Sequence, residues 1–379
     1  MLCRKESVKI EQFKPYFSNQ SRERILHDID GILSSGNLML GPFKDRFESV
    51  FRETMKIPYA VSVNSCTTAL IICLSYFDVR DREVLVPSGS FVTSVSSIIF
   101  AGAKPVLVDM NPATLSFDLC DLERKITPRT KGAVWVHLTG MISAEYRDII
   151  RLVKDKGLFL IEDCAHALGA RTGTRRAGTL GDAGCFSFYP TKIITSGTGG
   201  MITTRDQDLK AFGEKMRLFG KDSKSGLVMH LGNDWFLDEI RACVGYHQMT
   251  ELESNLKRRR QIAKRYREAL DNRQGLKTLS VPEENRPSYY QFPIFLDSEA
   301  DTVKLTKALK GRWEISVKNI YKPCHQEHVF REFDDGSLKK TEETLNRSLC
   351  LPLYLDMTDW EIDYVIKALV EEVTAVRLR

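Results

Sequence analysis

Length, composition and charge indicate a globular protein and exclude several kinds of function. The 379 residues, 42% of them hydrophobic, are enough for about two domains around a large core. The formal net charge of +5 is small and basic residues are interspersed with acidic ones, so nucleic acid is not expected as a partner. The sequence has neither a signal peptide nor an apolar run of about eighteen residues, which predicts a cytoplasmic protein without a membrane partner.

Cysteine and histidine spacing favours neither disulfides nor a metal site. The nine cysteines are scattered, mostly among apolar or small residues, and form no C-x-x-C pair. An odd number without paired spacing predicts reduced thiols in the core. The seven histidines contain no H-E-x-x-H motif or other ligand spacing, so no metal site is predicted.

Seven strands are predicted between about residues 58 and 204. They alternate with longer helical stretches, which is typical of an α/β fold with a mainly parallel sheet between helices. The predicted strands are YAVSV, EVLVP, KPVLVD, AVWVHL, LFLIED, CFSF and GGMITT. Ligands bind at the carboxyl ends of the strands in such sheets, so the residues just after each strand are candidates for a site.

The last third of the chain has a different pattern. One long amphipathic helix is predicted from about Asp238 to Asn272, and its basic run is interpreted as a solvated face. Strands are predicted at YYQFPIFL and WEISVKNIY, and a closing helix at MTDWEIDYVIKALVEEV. We therefore predict two domains, an N-terminal arm with a large α/β domain over residues 1–245 and a smaller α+β domain over residues 246–379.

The motif NSCTTAL lies where the first strand ends and a helix begins, near Thr67. Free backbone N–H groups and the helix dipole make such a helix start suitable for binding a phosphate group. The hydroxyls of Ser65, Thr67 and Thr68 can add hydrogen bonds. The alternative is that Ser65 or Thr67 only caps the helix.

Two further strand ends carry ionisable groups. Glu162 and Asp163 end an apolar strand and face opposite ways, so one of them, for which we choose Asp163, can point into a site. Lys192 follows the strand CFSF and precedes a glycine-rich loop, and Ser187 is placed to reach the same phosphate as the helix start. A lysine among apolar and small groups is an effective amine nucleophile because desolvation disfavours its charged form. Each motif by itself also fits a helix cap or a solvated charge.

Together these stretches resemble the DegT/DnrJ/EryC1/StrS family of sugar aminotransferases, which are fold-type I pyridoxal-phosphate enzymes. The resemblance covers nearly the whole chain and implies a seven-stranded sheet in the large domain and a small C-terminal domain. Its motifs, in order, are GPFKDRFE, YAVSVNSCTTAL, VPSGSFVTS, FAGAKPVLVDMNPATLSFD, ITPRTKGAVWVHLTG, IEDCAHALGA, GDAGCFSFYPTK, GTGGMITT, YKPCH and LCLPLY.

The resemblance also implies roles for residues around the cofactor ring. Lys192 is then the Schiff-base lysine, and Asp163 is the partner of the pyridine nitrogen. Phe91 takes the position of the aromatic residue that stacks on the ring. His166 lies where family members carry Gln or His, also near the ring.

The phosphate-binding positions of the family correspond to Cys66, Thr67 and Ser187. Cys66 replaces the usual glycine, which adds a side chain but leaves the backbone N–H donors. The usual asparagine, which reaches across a dimer to the other subunit's cofactor phosphate, aligns with Asp234, and Asn233 takes its place if the loop shifts by one residue. A homodimer is therefore expected.

Two other departures change charged positions. Thr198 replaces a glutamate, which removes a carboxylate near the site. Phe236 replaces an arginine, so cations for a substrate carboxylate or diphosphate are fewer than usual. The possible substitutes are Arg241, Lys322 and His325.

The implied reaction transfers an amino group from an amino acid, glutamate in most of the family, to a nucleotide-linked keto-sugar in amino-sugar or polysaccharide biosynthesis. The implied cofactor alternates between pyridoxal 5'-phosphate and pyridoxamine phosphate. One alternative is a sugar dehydratase of the same family, in which histidine replaces the lysine. The other is a catalytically silent scaffold or regulatory homologue, which the departures from the family pattern suggest.

Overall fold

The computed structural model describes residues 9–377, and several of its helices begin at polar side chains that cap them. Ser65, Asp206 and Ser298 each accept a hydrogen bond from a first-turn N–H of the helix that follows. The helices are α1 (Asn19–Ser35), α2 (Pro42–Met55), α3 (Cys66–Tyr76), α4 (Val92–Phe100), α5 (Leu119–Arg124), α6 (Tyr146–Asp155), α7 (Gln207–Met216), α8 (Glu239–Thr250), α9 (Leu252–Leu270), α10 (Glu299–Arg312), α11 (Lys339–Asn346) and α12 (Asp359–Arg377).

The strands are short and mostly buried. Those before residue 205 are β1 (Tyr59–Val63), β2 (Glu83–Pro87), β3 (Lys104–Val108), β4 (Met110–Asn111), β5 (Ser116–Phe117), β6 (Thr130–Val136), β7 (Phe159–Asp163), β8 (Arg171–Thr172), β9 (Arg175–Arg176), β10 (Ala183–Ser187) and β11 (Gly200–Thr204). Those after it are β12 (Leu276–Thr278), β13 (Asn285–Arg286), β14 (Phe292–Leu296) and β15 (Ser348–Leu351).

The predicted seven-stranded sheet is confirmed. Its order is β1-β11-β10-β7-β6-β2-β3, and β11 is its antiparallel strand, paired with both β1 and β10. The remaining neighbours pair in parallel, so the carboxyl ends of β6, β7 and β10 lie at one edge. Helices pack on both faces of this sheet, as the alternating pattern predicts.

A second sheet, of order β12-β14-β15, lies in the last third with α10 and α12 packed near it. Its core includes Tyr266 and also Ile10, whose N–H donates to the carbonyl of Glu314. Helix α9 joins the two cores, because Leu256 packs in the core of the large sheet and Ile262 in that of the small one. The domain limits, 1–245 and 246–379, stay a prediction.

Two predicted elements of the last third are wrong. The helix predicted from Asp238 to Asn272 is two helices, α8 and α9, separated at Glu251. Apolar residues keep a helical spacing on both sides of this one-residue break, so the periodicity of the sequence does not show where one helix ends and the next begins. The strand predicted at WEISVKNIY forms only two isolated bridges, Ile315 with Ile10 and Lys318 with Cys350.

The cysteines within the described residues are free thiols, as predicted. Seven of these eight are buried, and Cys120 is exposed. The ninth, Cys3, lies outside the described residues. Among residues 9–377 no helix is long and apolar enough to cross a bilayer.

Candidate active site

A cavity of about 660 Å³ opens at the carboxyl edge of the large sheet, within the volume usual for small-molecule sites. Parallel strands β6, β7 and β10 end at it with Val136, Asp163 and Ser187. The structure brings seven of the nine predicted site residues to this cavity: Cys66, Thr67, Phe91, Asp163, His166, Ser187 and Lys192.

Asp163 lies at the floor of the cavity and is only 5% exposed. Its Oδ2 accepts a hydrogen bond from Ser94 Oγ at 2.7 Å, and its Oδ1 accepts one from the N–H of Ala165 at 3.0 Å. The thiol of Cys66 donates to Oδ1 over 3.9 Å. These contacts hold the carboxylate in one orientation towards the cavity.

Glu162, the neighbouring carboxylate, points the opposite way and does not line the cavity. Its Oε1 accepts from the N–H groups of Leu180 and Gly181, and its Oε2 accepts from that of Gly178. His137 Nε2 lies 2.7 Å from the same Oε2. The alternation of side chains along β7 thus separates a carboxylate that fixes a loop from one that faces the site.

The start of α3 forms one wall. Ser65 accepts from the N–H of Thr68 and so caps the helix, as the alternative reading of NSCTTAL predicted, while the N–H groups of Cys66 and Thr67 belong to the first turn, which has no intrahelical acceptors. Gly200 packs so closely here that a Cβ would lie 2.7 Å from the nitrogen of Cys66.

Burial raises the pKa of the Cys66 thiol well above its usual range, and the charge of Asp163 adds to this, so the thiol stays protonated.

Lys192 reaches the cavity from the loop after β10. Its Nζ lies 4.4 Å from the ring centroid of Tyr290, within the range of a cation–π contact. The loop turns back because the N–H of Ser196 donates to the carbonyl of Phe188. Tyr290 precedes β14, so the second sheet supplies one wall beside the lysine.

His166 is 3% exposed and held on three sides. Its Nδ1 accepts from the N–H of Thr139 at 3.3 Å, its Nε2 lies 2.7 Å from the hydroxyl of Tyr321, and its ring stacks on Tyr290 at 4.0 Å. Burial lowers the pKa of His166 well below its usual range, and the positive charge of Lys192 adds to this. The neutral ring, with its proton on Nε2, therefore donates to Tyr321.

The mouth of the cavity is aromatic and more exposed. Phe91, at the start of α4, is 48% exposed, and its ring lies 5.4 Å from that of Tyr321. Phe13 from the N-terminal segment and Lys318 from the last third of the chain also line the cavity. Thr198, which replaces the glutamate of the family pattern, lies there as well.

Asn233 and Asp234 do not line this cavity. Both are exposed, and the backbone of Asp234 is held by Asn64, whose Nδ2 donates to its carbonyl at 3.4 Å. The three possible substitutes for the missing arginine are also elsewhere. Arg241 pairs with Asp238, Lys322 with Glu327, and His325 is buried between Ser88 and Glu342.

Sequence reasoning missed five residues that complete the site: Phe13, Ser94, Tyr290, Lys318 and Tyr321. Ser94 lies in the motif VPSGSFVTS and Tyr321 just before KPCH, so a search of all polar residues within the matched motifs would have found those two. The other three come from the N-terminal segment and the last third, whose approach to the large sheet has no signal in local spacing.

Comparisons with known proteins agree with this geometry. The model of the DegT/DnrJ/EryC1/StrS aminotransferase family matches residues 19–370. The chain belongs to this family. Its relatives include the dTDP-3-amino-3,4,6-trideoxy-alpha-D-glucose transaminase of Micromonospora megalomicea subsp. nigra, which is 32% identical over 368 residues, 95% of this chain and 98% of that protein.

Solved structures of related aminotransferases have the same fold. The aminotransferase TlmJ from Streptoalloteichus hindustanus aligns with a TM-score of 0.90 at 30% identity, over 97% of this chain and 100% of that one. NtdA from Bacillus subtilis, solved with bound cofactor PMP, aligns with a TM-score of 0.87 at 26% identity, over 94% of this chain and 83% of that one. The predicted fold-type I architecture is confirmed, and this family member is a pyridoxal-phosphate-dependent sugar aminotransferase.

The cavity fits pyridoxal phosphate chemically. The first-turn N–H groups of α3 and the hydroxyl of Ser187 suit a phosphate group, and Gly200 allows its strand to pack directly against the start of α3, where a Cβ would clash. A buried carboxylate, Asp163, suits a protonated ring nitrogen, and the amine of Lys192 suits reaction with an aldehyde.

Proposed function

We propose that this enzyme transfers an amino group from glutamate to a keto-sugar linked to a nucleoside diphosphate, in the biosynthesis of an amino-sugar or polysaccharide. The supporting observation is that Lys192 and Asp163, 29 positions apart in sequence, line one cavity next to a helix start suited to phosphate. The dTDP-sugar transaminase among its relatives supports a nucleotide-linked substrate.

We propose the following roles in cofactor binding. The N–H groups of Cys66 and Thr67 and the hydroxyl of Ser187 bind the phosphate. Asp163 keeps the ring nitrogen protonated, and Ser94 orients its carboxylate through the 2.7 Å hydrogen bond. When bound, pyridoxal phosphate stores the electron pair released from the substrate carbon.

Phe91 and His166 confine the cofactor ring. Phe91 lies at the exposed side of the cavity, where its ring can stack on an aromatic ligand. His166 is neutral and fixed by Thr139 and Tyr321, so it holds its neighbours in place without adding a charge.

Lys192 moves the protons of the reaction. Its Nζ would carry a proton from the α-carbon of the amino donor to the cofactor carbon that holds the nitrogen. In the second half of the cycle it would carry a proton from that cofactor carbon to the sugar carbon that receives nitrogen. The contact with Tyr290 keeps the amine over one side of the cavity, so the two proton transfers occur on the same face.

The two half-reactions test this proposal separately. The holoenzyme is mixed with glutamate or glutamine, and the change of the cofactor absorption band and the release of keto acid are followed. Nucleotide-linked keto-sugars are then screened as acceptors. We expect glutamate to change the band and a nucleotide-linked keto-sugar to restore it. A holoenzyme whose band responds to no amino acid would identify a catalytically silent scaffold instead.

We also propose that the enzyme is a homodimer in which Asn233 or Asp234 contacts the cofactor phosphate of the other subunit. Both residues are exposed outside their own chain's cavity, which supports a contact made elsewhere. They follow a segment with exposed apolar side chains that a second subunit can cover: Phe219, Leu227, Val228, Met229 and Leu231.

Mixed dimers distinguish these arrangements. Lys192→Ala and Asn233→Ala proteins, each of low activity, are combined under conditions that exchange subunits. If Asn233 serves the other subunit, the site with intact Lys192 receives Asn233 from the Lys192→Ala chain, and activity returns. The same experiment with Asp234→Ala shows which residue is used. A monomer in sedimentation analysis would exclude the arrangement.

A further inference from the structure

Among residues 9–377 two lysines line the cavity, and of these Lys192 has a role in the chemistry proposed above. The second, Lys318, faces the same space, in which Asp163 is the carboxylate among the lining residues. Lys322, four residues later, pairs with Glu327, whereas no salt bridge involves Lys318 within residues 9–377. The Nζ of Lys318 lies instead 5.0 Å from the ring centroid of Phe13.

Backbone groups of β15 and of the residues just after it fix the two segments that carry Lys318 and Phe13. The N–H of Cys350 donates to the carbonyl of Lys318 at 2.8 Å, and the side chain of Gln12, next to Phe13, donates to the carbonyl of Cys350 at 3.4 Å. The N–H of Leu353 donates to the carbonyl of Gln12 at 3.0 Å. The cation and the aromatic ring are thus positioned by the small sheet at the edge of a cavity built on the large one.

Both side chains lie at the mouth rather than the floor. Lys318 is exposed and Phe13 is 39% exposed, whereas Asp163 and His166 are almost completely buried. The α-carboxylate of an amino donor is bonded to the reacting carbon and must lie near Lys192. The diphosphate of a nucleotide-linked sugar is separated from the reacting carbon by the sugar ring, so it reaches the mouth.

We infer that Lys318 and Phe13 bind the nucleoside diphosphate part of the acceptor substrate. The ammonium of Lys318 pairs with the diphosphate, and the ring of Phe13 packs against the nucleoside. This inference rests on the proposed function, which it deepens by assigning specificity residues. It also replaces the earlier expectation for the missing arginine, since Arg241, Lys322 and His325 do not line the cavity.

Equilibrium binding to the holoenzyme tests the inference without turnover. The probes are uridine, thymidine and guanosine diphosphates and the corresponding nucleosides. For the diphosphate that binds most tightly, we expect Lys318→Ala to weaken binding about tenfold or more, because it removes a charge-assisted contact. Lys318→Arg, which keeps the charge, should bind nearly as wild type, and Lys322→Ala is the matched control without effect.

Two further measurements distinguish the contribution of the Lys318 charge from that of stacking on Phe13. Nucleoside binding should be unchanged in Lys318→Ala but weakened about fivefold or more in Phe13→Ala, because stacking on an aromatic ring does not depend on phosphate. Added salt should weaken diphosphate binding more in wild type than in Lys318→Ala.

Three outcomes overturn the inference. In the first, Lys318→Ala binds the diphosphates as wild type. In the second, wild type binds none of them. In the third, Lys318→Ala loses the half-reaction with glutamate while its diphosphate binding is unchanged, which assigns Lys318 to the donor carboxylate. The proposed function fails independently, if the wild-type holoenzyme reacts with no amino acid.

Discussion

The floor and the mouth of the cavity are built in opposite ways. At the floor, buried side chains on the large sheet are fixed by short hydrogen bonds, such as Ser94 to Asp163 at 2.7 Å and His166 to Tyr321 at 2.7 Å. At the mouth, Phe91 and Phe13 are exposed and come from separate chain segments. Under the proposals above, the fixed, buried groups at the floor serve the reaction, and Phe13 and Lys318 at the mouth serve substrate choice. Phe91 is exposed as well but is assigned to the cofactor ring.

The largest effect is expected from Lys192→Ala. Turnover should fall at least about 10³-fold, because the variant loses the amine to which we assign the bond to the cofactor and the proton transfers. The absorption band of the covalently bound cofactor should disappear from the spectrum. Lys210→Ala, which removes a surface lysine paired with Glu214, is the control with the same change of charge. Retention of the band in the first variant would refute the role of Lys192.

Substitutions of the two adjacent carboxylates of β7 should affect different properties, turnover for Asp163 and stability for Glu162. Asp163→Asn should lower turnover about 10²-fold or more while the protein stays folded, because only the charge that faces the cavity is lost. Glu162→Gln should lower the free energy of unfolding by about 2–4 kcal/mol, because its new amide faces buried N–H donors. Denaturant titration and steady-state kinetics measure the two effects. If both variants lost the same turnover per folded molecule, Asp163 and Glu162 would not have the separate roles argued above.

Ser94→Ala tests whether the hydrogen bond to Asp163 positions the carboxylate. Turnover should fall about tenfold, and the pH titration of the cofactor band should shift, because Asp163 loses one fixed donor. Ser94→Thr should restore both. The control is Ser97→Ala on the same helix, since Ser97 is equally buried but donates to the carbonyl of Ser94. If the cofactor band of Ser94→Ala titrates with pH as in wild type, Ser94 has only a structural role.

The effect expected from His166 is confined to acidic pH, where it changes the pH dependence of stability and leaves stability at neutral pH nearly unchanged. The folded-state pKa of His166 is lowered by burial and by Lys192, with a smaller contribution from Lys318. Below the unfolded-state pKa of about 6.5 the unfolded chain binds a proton that the folded chain does not, so stability falls as pH falls, by up to about 1.4 kcal/mol per pH unit.

His166→Gln should make this slope shallower, since glutamine keeps hydrogen-bonding groups near Thr139 and Tyr321 but does not titrate. Unfolding free energies of both proteins between pH 4.5 and 8, in steps of about half a unit, measure the difference. Parallel curves across that range would show that His166 binds its proton equally in both states.

The site was predictable from sequence where a residue directly follows a strand. Asp163 and Ser187 end their strands, and Cys66 starts the following helix, because the ends of parallel strands meet at one edge. The choice of Asp163 over Glu162 agrees with the structure because side chains alternate along a strand. The pairing of residues in the last third was not predictable in this way, and the strand predicted at WEISVKNIY is wrong.

The seven strands, the reduced thiols and the family were predictable from the sequence, because each depends on local composition, on spacing or on motifs in a fixed order. The folded structure was needed to place Phe13, Tyr290 and Lys318 in the same cavity and to show that α8 and α9 are separate helices. Contacts between distant segments depend on how the two sheets pack together, and no local pattern records that packing.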